Sequence, residues 1–399
     1  MTVNDTPWLR VPIKEVYQGL YDGPHATPPV ADDGPVFLGI GNVTDDGHLN
    51  LSSIRHIAEA DFPNWTKRVV PQSSDIVFTY EATLNRYAMI PEGFRGCLGR
   101  RMALIRPDPQ KVEPRFLFYY FFGYDWRQTV AANILSGATV DRIPLTSFPD
   151  FPISLPPLPT QQRIAAILST YDDLIENNTR RIAILEEMAR RFYYEWFVRF
   201  RFPGHEAAEF DGELPTGWAR IPLSQIAEFK RGKQQLTKKA YVEEGFTAYS
   251  ASGPDGLLES WEVETKAVVV SGVGAYCGKT WLARGKWTCI ANTFYLRPTS
   301  PEVSAELLYM ATFGIDFWPR RGAAQPFIST GDAGTKEIVV ATPQVMKAFN
   351  QTAVPMLDLI ATLQRKNANL RTQRDLLLPK LVSGEIDVSG AEVVLEAAE

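Results

Sequence analysis

The most regular pattern along the chain is a run of apolar residues after Pro159. Ile164, Ile167, Leu168, Tyr171, Leu174, Ile175, Ile182, Leu185, Met188, Phe192 and Trp196 mostly fall three or four positions apart, which puts them on one face of a long helix. Thr160 is the expected N-cap, Asn178 interrupts the stripe, and Phe202-Pro203-Gly204 ends the run. A second run carries Leu357, Ile360, Leu363, Leu370, Leu377 and Leu381 on similar spacing, with Asn367 and Arg374 where apolar residues are expected. Pro355 lacks an amide hydrogen, so it is expected to kink or break this second helix early. The first stripe is longer than a small domain can cover. Two such stripes bury each other most simply as an antiparallel pair, and a polar residue in such a seam can set register at some cost in stability.

The segments outside these helices read differently, with Gly, Pro and short β-like runs, and they repeat. Trp8-Leu9-Arg10-Val11-Pro12-Ile13 returns about half a chain later as Trp218-Ala219-Arg220-Ile221-Pro222-Leu223. Each copy then has a strand ending in Arg-Pro (ALIRP from Ala103, FYLRP from Phe294) and a short aromatic helical patch (FLFYYFFGYDW, ELLYMATFGIDFW). A glycine-led element follows (SGATVDRI from Ser136, RGAAQPFI from Arg321), then a closing strand and proline (FPISLPPLP, EIVVATP). Self-similarity on this scale means a duplicated structural unit. The expected fold is α+β, with two mixed, β-rich globules separated by two long helices forming an antiparallel coiled coil, and an internal pseudo-two-fold repeat. The expected boundaries are a first globule over 1–155, a first spacer helix over 156–204, a second globule over 205–343, a second spacer helix over 344–385 and an acidic flexible tail over 386–399.

Composition narrows the class. With 399 residues, 45% hydrophobic and 22% charged, the chain has the make-up of a soluble globular protein. Its longest apolar-aromatic run, Phe116 to Phe122, is too short to span a bilayer, and MTVNDTPWLR has no secretory signal pattern. Cys97, Cys277 and Cys289 form no C-x-x-C pair, and with four scattered histidines they make no metal site. A cytoplasmic location without membrane association is expected. The net charge of −5 argues against nucleic acid only on average. The segment after Ser383 has five acids and no base, whereas Lys230 to Lys239 has five bases and no acid. Local fields matter more than the total.

One stretch tests whether the protein is a nucleotide enzyme. SGVGAYCGKT, Ser271 to Thr280, follows the apolar run Ala267 to Val270 and ends in Gly-Lys-Thr. A P-loop needs a glycine five positions before Gly278, but that position is Val273, and the sequel WLARGKWTCIANTFYLRP reads as two strands around a turn rather than a helix. The pattern is therefore a β-hairpin whose partner in the first copy is FTYEATLNRY, Phe78 to Tyr87. The G-x-G in VFLGIGNVTDDG lacks a third glycine and a following helix, so it reads as a turn between strands. No N-P-P-[FYW] methyltransferase tetrapeptide is present.

The arrangement resembles the specificity (S) subunits of type I restriction-modification systems. The match is carried by Leu155-Pro156-Pro157-Leu158-Pro159-Thr160-Gln161-Gln162-Arg163-Ile164-Ala165 at the opening of the first helix. It is carried also by Arg321-Gly322-Ala323-Ala324-Gln325-Pro326-Phe327-Ile328 and by Leu377-Leu378-Pro379-Lys380-Leu381-Val382-Ser383-Gly384. The second helix departs from the pattern, opening with Ala341-Thr342-Pro343-Gln344-Val345, and the first copy has Gly137-Ala138-Thr139-Val140 where Q-P-x-I would sit.

The resemblance implies a non-catalytic chain whose two globules are target recognition domains, each reading half of a split double-stranded DNA sequence. It implies that the helices dock two adenine methyltransferase (M) subunits, joined by restriction/motor (R) subunits. S-adenosylmethionine, ATP and Mg would then serve those partners, with no cofactor in this chain. About 30 paired helical residues would span roughly 45 Å, or roughly 13 bp of duplex. The alternatives are a coiled-coil interaction protein without DNA specificity and a P-loop-like nucleotide-dependent enzyme.

Candidate DNA contacts follow from residue chemistry. In the second globule these are Lys230, Arg231, Lys233, Lys238, Lys239, Lys279, Arg320, Arg321 and Gln325; in the first they are Asn85, Arg86, Arg100, Arg101 and Arg142. Lys and Arg suit phosphates, Arg can also bridge guanine O6 and N7, and Asn or Gln can bridge adenine N6 and N7. Ile164, Leu168, Leu174, Leu185, Leu357, Ile360, Leu363 and Leu370 are the expected coiled-coil residues. Trp65, Trp126 and Trp287 are expected in the core. Arg180, Arg181, Arg190 and Arg191, interleaved with Asp172, Asp173, Glu186 and Glu187, are expected on a solvated or partner-docking face.

Overall fold

The computed structural model describes residues 8–136, 140–388 and 390. The chain divides into two compact units, one formed by 1–177 with 367–399 and the other by 178–366. Each of the two long helices contributes to both units.

In the first unit, the described residues form nine strands, which follow from short apolar runs broken by Gly, Pro and Asp. They are β1 (Leu9–Pro12), β2 (Tyr17–Asp22), β3 (Ala31–Leu38), β4 (Arg55–His56), β5 (Ile76–Thr79), β6 (Tyr87–Met89), β7 (Gly96–Leu98), β8 (Met102–Pro107) and β9 (Pro152–Leu155). β2-β8-β5-β6 form an antiparallel sheet, β4-β3-β7 a mixed one, and β1 pairs with β9. The four-stranded sheet is covered on both faces, which is why β5 and β8 read as continuous apolar runs. Ile76, Phe78, Ala103 and Ile105 face an aromatic cluster with Phe121, Trp126 and Phe148. Val77, Met102 and Leu104 face Leu38 and Leu98 of the smaller sheet. Trp126 is fully buried and its Nε1 donates to the Tyr87 hydroxyl at 2.8 Å, so its polar tip is satisfied.

The second unit contains a two-strand pair, β10 (Phe210–Asp211) and β11 (Leu214–Pro215), and then repeats the same plan. Its strands are β12 (Ala219–Pro222), β13 (Ala227–Arg231), β14 (Phe246–Ser250), β15 (Gly253–Leu258), β16 (Ala267–Ser271), β17 (Thr280–Ala283), β18 (Trp287–Cys289), β19 (Thr293–Pro298) and β20 (Glu337–Val340). The sheets are β13-β19-β16-β17, β15-β14-β18 and β12-β20. Strand for strand this is the order of the first unit, including the one parallel pair, β14 with β18 in place of β3 with β7. The repeat inferred from Trp8 and Trp218 therefore extends to the complete sheet topology.

SGVGAYCGKT lies at the β16–β17 hairpin and FTYEATLNRY at the β5–β6 hairpin, in matching places. The segment after Lys279 holds three strands rather than two. Asn292 adopts a left-handed φ of 65°, which ends the run of β18 in one sheet and starts β19 in another. The G-x-G of the first unit closes a turn in which the Asn42 side-chain oxygen accepts from Gly39 N, while Asn42 Nδ2 donates to the carbonyls of Asn50 and Ser53.

The first long helix spans Leu158–Tyr193 and continues as a π-helical turn, Tyr194–Val198. It starts before Thr160, which is helical rather than the N-cap. Pro159 sits in the first turn, where its missing N–H costs nothing. The second spans Pro343–Val382 without a break. Pro355 thus corrects the expected early break. Its ring is exposed, while Ala353, Leu357 and Ile360 keep the opposite face buried on either side of it, so packing outweighs the lost hydrogen bond. Replacing Pro355 with alanine should raise the unfolding free energy by up to about 3 kcal/mol, read as a higher urea midpoint. A lower midpoint would mean that the proline shapes the helix.

Segments of the two helices pair antiparallel in each unit. In the first, the Asn367 side chain donates to the Ile175 carbonyl at 3.2 Å and Arg374 reaches Asp172 at 2.6 Å. Ile164 and Leu168 are buried in the same core as Leu378 and Leu381. In the second, Ala189, Leu357 and Ile360 cluster with Ile182 and Leu185, and the Phe192 and Phe349 rings stack at 5.2 Å. Leu363 is buried and Leu370 half-buried. Leu174 is exposed: the seam takes the adjacent Ile175 instead, because a step from Ile175 to Ile182 stays in phase with a heptad. Asp172 likewise leaves the expected solvated face for a buried ion pair. Ile386 and Val388 pack against the core of the first unit rather than hanging free, and residues 391–399 of the acidic tail lie outside the described residues.

Among the described residues, no helix is long and apolar enough to cross a membrane and no cluster of three or more His, Cys, Asp or Glu could hold a metal ion. The three cysteines are free and buried, and burial pushes the Cys97 and Cys289 thiols up to about 12.

Candidate nucleic-acid interface

One edge of the four-stranded sheet gathers chemistry in each unit. In the first, the ends of β2, β5 and β8 meet the hairpin in which Leu135 pairs with Arg142. Backbone bonds fix them. Gly23 N donates to Met102 O (2.8 Å), Thr79 N to Arg86 O (3.0 Å), Tyr80 N to Arg101 O (3.2 Å), Ile143 N to Tyr80 O (2.7 Å) and Ala82 N to Asp141 O (3.1 Å).

The second unit reproduces all five. Gly232 N donates to Thr293 O (2.9 Å), Ser271 N to Lys279 O (2.9 Å), Gly272 N to Asn292 O (2.8 Å), Ile328 N to Gly272 O (2.9 Å) and Gly274 N to Pro326 O (2.9 Å). The equivalences follow directly: Arg86 stands where Lys279 stands, Arg101 where Asn292 does, and Arg142 where Phe327 does. The SGATVDRI and RGAAQPFI elements occupy the same place through Asp141–Ile143 and Pro326–Ile328, while 137–139 lie outside the described residues.

Two glycines are required at this edge. A Cβ on Gly23 would lie 2.2 Å from Gly99 O, and one on Gly232 would lie 2.2 Å from Ile290 O. Both contacts are with backbone, at matching points where β7 and β18 end. Sequence reasoning missed this pair, although the two glycines stand at nearly the same distance from the repeated tryptophans.

The edge of the first unit holds Asn85, Arg86, Arg100, Arg101 and Arg142 together. Arg86 is held by both oxygens of Asp45, at 2.5 and 3.1 Å, and Arg101 lies 3.3 Å from Glu81. Arg101 also carries a φ of 70° and Asn85 one of 60°, conformations that turn a chain tightly at the end of a strand. Arg100 and Arg142 are exposed, and neither has a carboxylate partner among the described residues.

The edge of the second unit holds Arg231, Lys233, Lys279, Arg321 and Gln325. Arg231 and Lys279 are exposed and have no carboxylate partner among the described residues, although the Lys279 ammonium lies 4.7 Å over the Tyr276 ring. Lys233 is 3.7 Å from Glu262, and Arg321 is 2.7 Å from Asp332.

The remaining candidates sit elsewhere or are engaged within the fold. Lys230 lies on β13 opposite Tyr295 and pairs with Glu228 at 3.2 Å; Arg297 and Lys230 together hold the Glu228 carboxyl below its ordinary range. Lys238 binds Asp255 at 2.5 Å. Burial pushes that carboxyl up, but hydrogen bonds from Lys238, Tyr241 and Ser250 outweigh it and hold it low. Lys239 is exposed beside Lys238, and Arg320 pairs with Asp316 at 3.4 Å. The basic run Lys230 to Lys239 is thus not one free loop. Trp126 and Trp287 are core, and Trp65 is half-buried against Phe37.

Comparison with known proteins supports the resemblance. Residues 36–187 match the family model described as type I restriction modification DNA specificity domain. Over these residues the chain carries a DNA specificity domain of the type I restriction-modification kind. It is 24% identical over 360 residues to the MjaIX type I restriction enzyme specificity subunit of Methanocaldococcus jannaschii, covering 84% of this chain and 82% of that one. It is 22% identical to the HindI specificity subunit of Haemophilus influenzae, covering 88% and 94%. The fold is similar to the crystal structure of a type I restriction-modification S subunit from M. genitalium, with a TM-score of 0.65 at 17% identity, covering 96% and 98% of the two chains. The matched stretch runs from the end of β3 through β9 and most of the first long helix, so it includes the β5–β6 hairpin and Arg142.

Proposed function

We propose that the chain is the non-catalytic DNA-reading subunit of a type I complex, in which each unit reads one half of a bipartite duplex sequence through the loop edge of its four-stranded sheet. The observation that carries this reading is the duplicated edge. Five backbone hydrogen bonds recur in both units, and around them stand exposed basic side chains, Arg100 and Arg142 in one unit and Arg231 and Lys279 in the other. Such an edge offers phosphate contacts to position the duplex and side chains to read it. The pairing of the long helices in both units supports their role as the scaffold for two adenine methyltransferase subunits and for restriction subunits, which bring the chemistry.

Mapping adenine methylation in the host, with and without this gene, tests the reading; loss of a two-part motif on deletion is expected, and an unchanged methylome would reject it. At the level of single residues, Arg231→Ala and Lys279→Ala should each weaken binding evenly across sequences. Each should also flatten the slope of log K against log salt by about 1, measured by titrating a labelled duplex at several salt concentrations.

A further inference from the structure

The two loop edges share a backbone but differ in one respect that basic residues do not explain. At the position where the first unit has Arg142, the second has Phe327. Both residues are held alike: Arg142 exchanges backbone bonds with Leu135 (3.1 and 2.9 Å), and Phe327 with Arg321 (2.8 and 2.9 Å). Phe327 is 43% exposed, and Tyr276, on the adjoining loop, is 46% exposed. The two loops are joined by the Val273–Phe327 bridge and by the Gly274 to Pro326 bond. The Lys279 ammonium lies 4.7 Å over the Tyr276 ring, and Arg321 is the residue that exchanges backbone bonds with Phe327. Two exposed aromatics, each with a basic residue beside it, on the edge that would face DNA suit a partner that is apolar locally and anionic around it.

A duplex groove fits that description at only one base. Phe327 has neither donor nor acceptor, so it cannot read the hydrogen-bonding pattern of the bases. The apolar group on the major-groove edge is the C5 methyl of thymine. Resting on the DNA-reading function above, we propose that Phe327, supported by Tyr276, specifies thymine in one half-site by packing on its C5 methyl. At the equivalent position Arg142 presents a guanidinium to the other half-site, where guanine O6 and N7 match its fork. The second unit then reads by shape and burial at the point where the first reads by hydrogen bonds.

The test removes one methyl group. The full chain is used to select from a random duplex library, and the thymines of the enriched motif are then replaced singly by deoxyuridine. At one or two positions within a single half-site, wild-type affinity should fall about fourfold, as for one buried methyl. Phe327→Ala should bind thymine and uracil duplexes equally, Phe327→Leu should keep part of the discrimination, and Arg142→Ala should keep it all. Because Phe327 is nearly half exposed, these variants should melt with the wild type, which circular dichroism checks. A wild type indifferent to every deoxyuridine, or a Phe327→Ala variant that still discriminates, overturns the proposal while leaving DNA recognition intact. A selection that enriches no sequence rejects the DNA-reading function and this proposal with it.

Discussion

Arg374→Ala is expected to destabilise the first unit by about 3–5 kcal/mol. The Arg374 side chain is 9% exposed and Nη1 contacts Asp172 Oδ1 at 2.6 Å, while its Nε donates to Asp375 at 3.0 Å. The other Asp172 oxygen accepts from the Tyr119 hydroxyl at 2.6 Å. Burial alone would lower the Arg374 pKa, but the Asp172 and Asp375 carboxylates together more than offset it and the value is raised. Burial, and after it the Asp172 charge, push the Tyr119 hydroxyl far up, so it stays a donor. Truncating the arginine strands Asp172 against one neutral partner at the helix seam. The paired change Asp172→Leu with Arg374→Met should recover most of the loss or exceed it, because two well-packed apolar groups avoid the desolvation of two charges. Urea unfolding of the single and double variants measures both. A double variant no better than the single one would trace the loss to the packing of the arginine stem rather than to its charge.

The second large effect is expected at a glycine. In Gly232→Ala the new methyl carbon meets Ile290 O at 2.2 Å and Thr293 Oγ1 at 2.5 Å. A backbone oxygen cannot swing aside as a side chain can, so the end of β13 must move. That movement breaks the Gly232 bond to Thr293 O and the Lys233 bond to Cys289 O. Overpacking of this kind costs about 1–3 kcal/mol, and here the displaced residues include Arg231 and Lys233. Gly23→Ala forces the same shift in the first unit. Each variant should therefore blur a different half of the selected DNA motif while leaving the other half sharp. If both variants retain both halves, the loop edges are not the reading surface.

The sequence made the helices and the duplication legible because both depend on pattern. Residues such as Ile164, Leu168, Leu357 and Ile360 announce a buried stripe whatever lies around them. What stayed hidden depends on the third dimension. Arg374 reads as a fault in a stripe, yet it is buried because Asp172 and Tyr119 come to meet it. Leu174 and Ile175 are equally apolar, and only the phase of the helix pair decides between them. Pro355 follows its propensity until packing on the opposite face overrules it. The basic run Lys230 to Lys239 looks like one patch, but Glu228 on the same strand, and Glu262 and Asp255 from further along the chain, take up three of its charges. The placement of Phe327 was invisible for another reason: an aromatic in a short strand-like segment reads as core until its exposure and its equivalence to Arg142 are seen.

The bonds that hold each loop edge run from main chain to main chain. No side chain is needed to close them, apart from the absence of one at Gly23 and Gly232. Arg101 and Asn292, Arg142 and Phe327, and Arg86 and Lys279 occupy the same sockets although their chemistries differ. Mutations can therefore change the side chains of each loop edge without unlocking the frame beneath it. If the loop edges read DNA as proposed, a lineage built on such a frame can change its target by point substitution, with little restraint from folding.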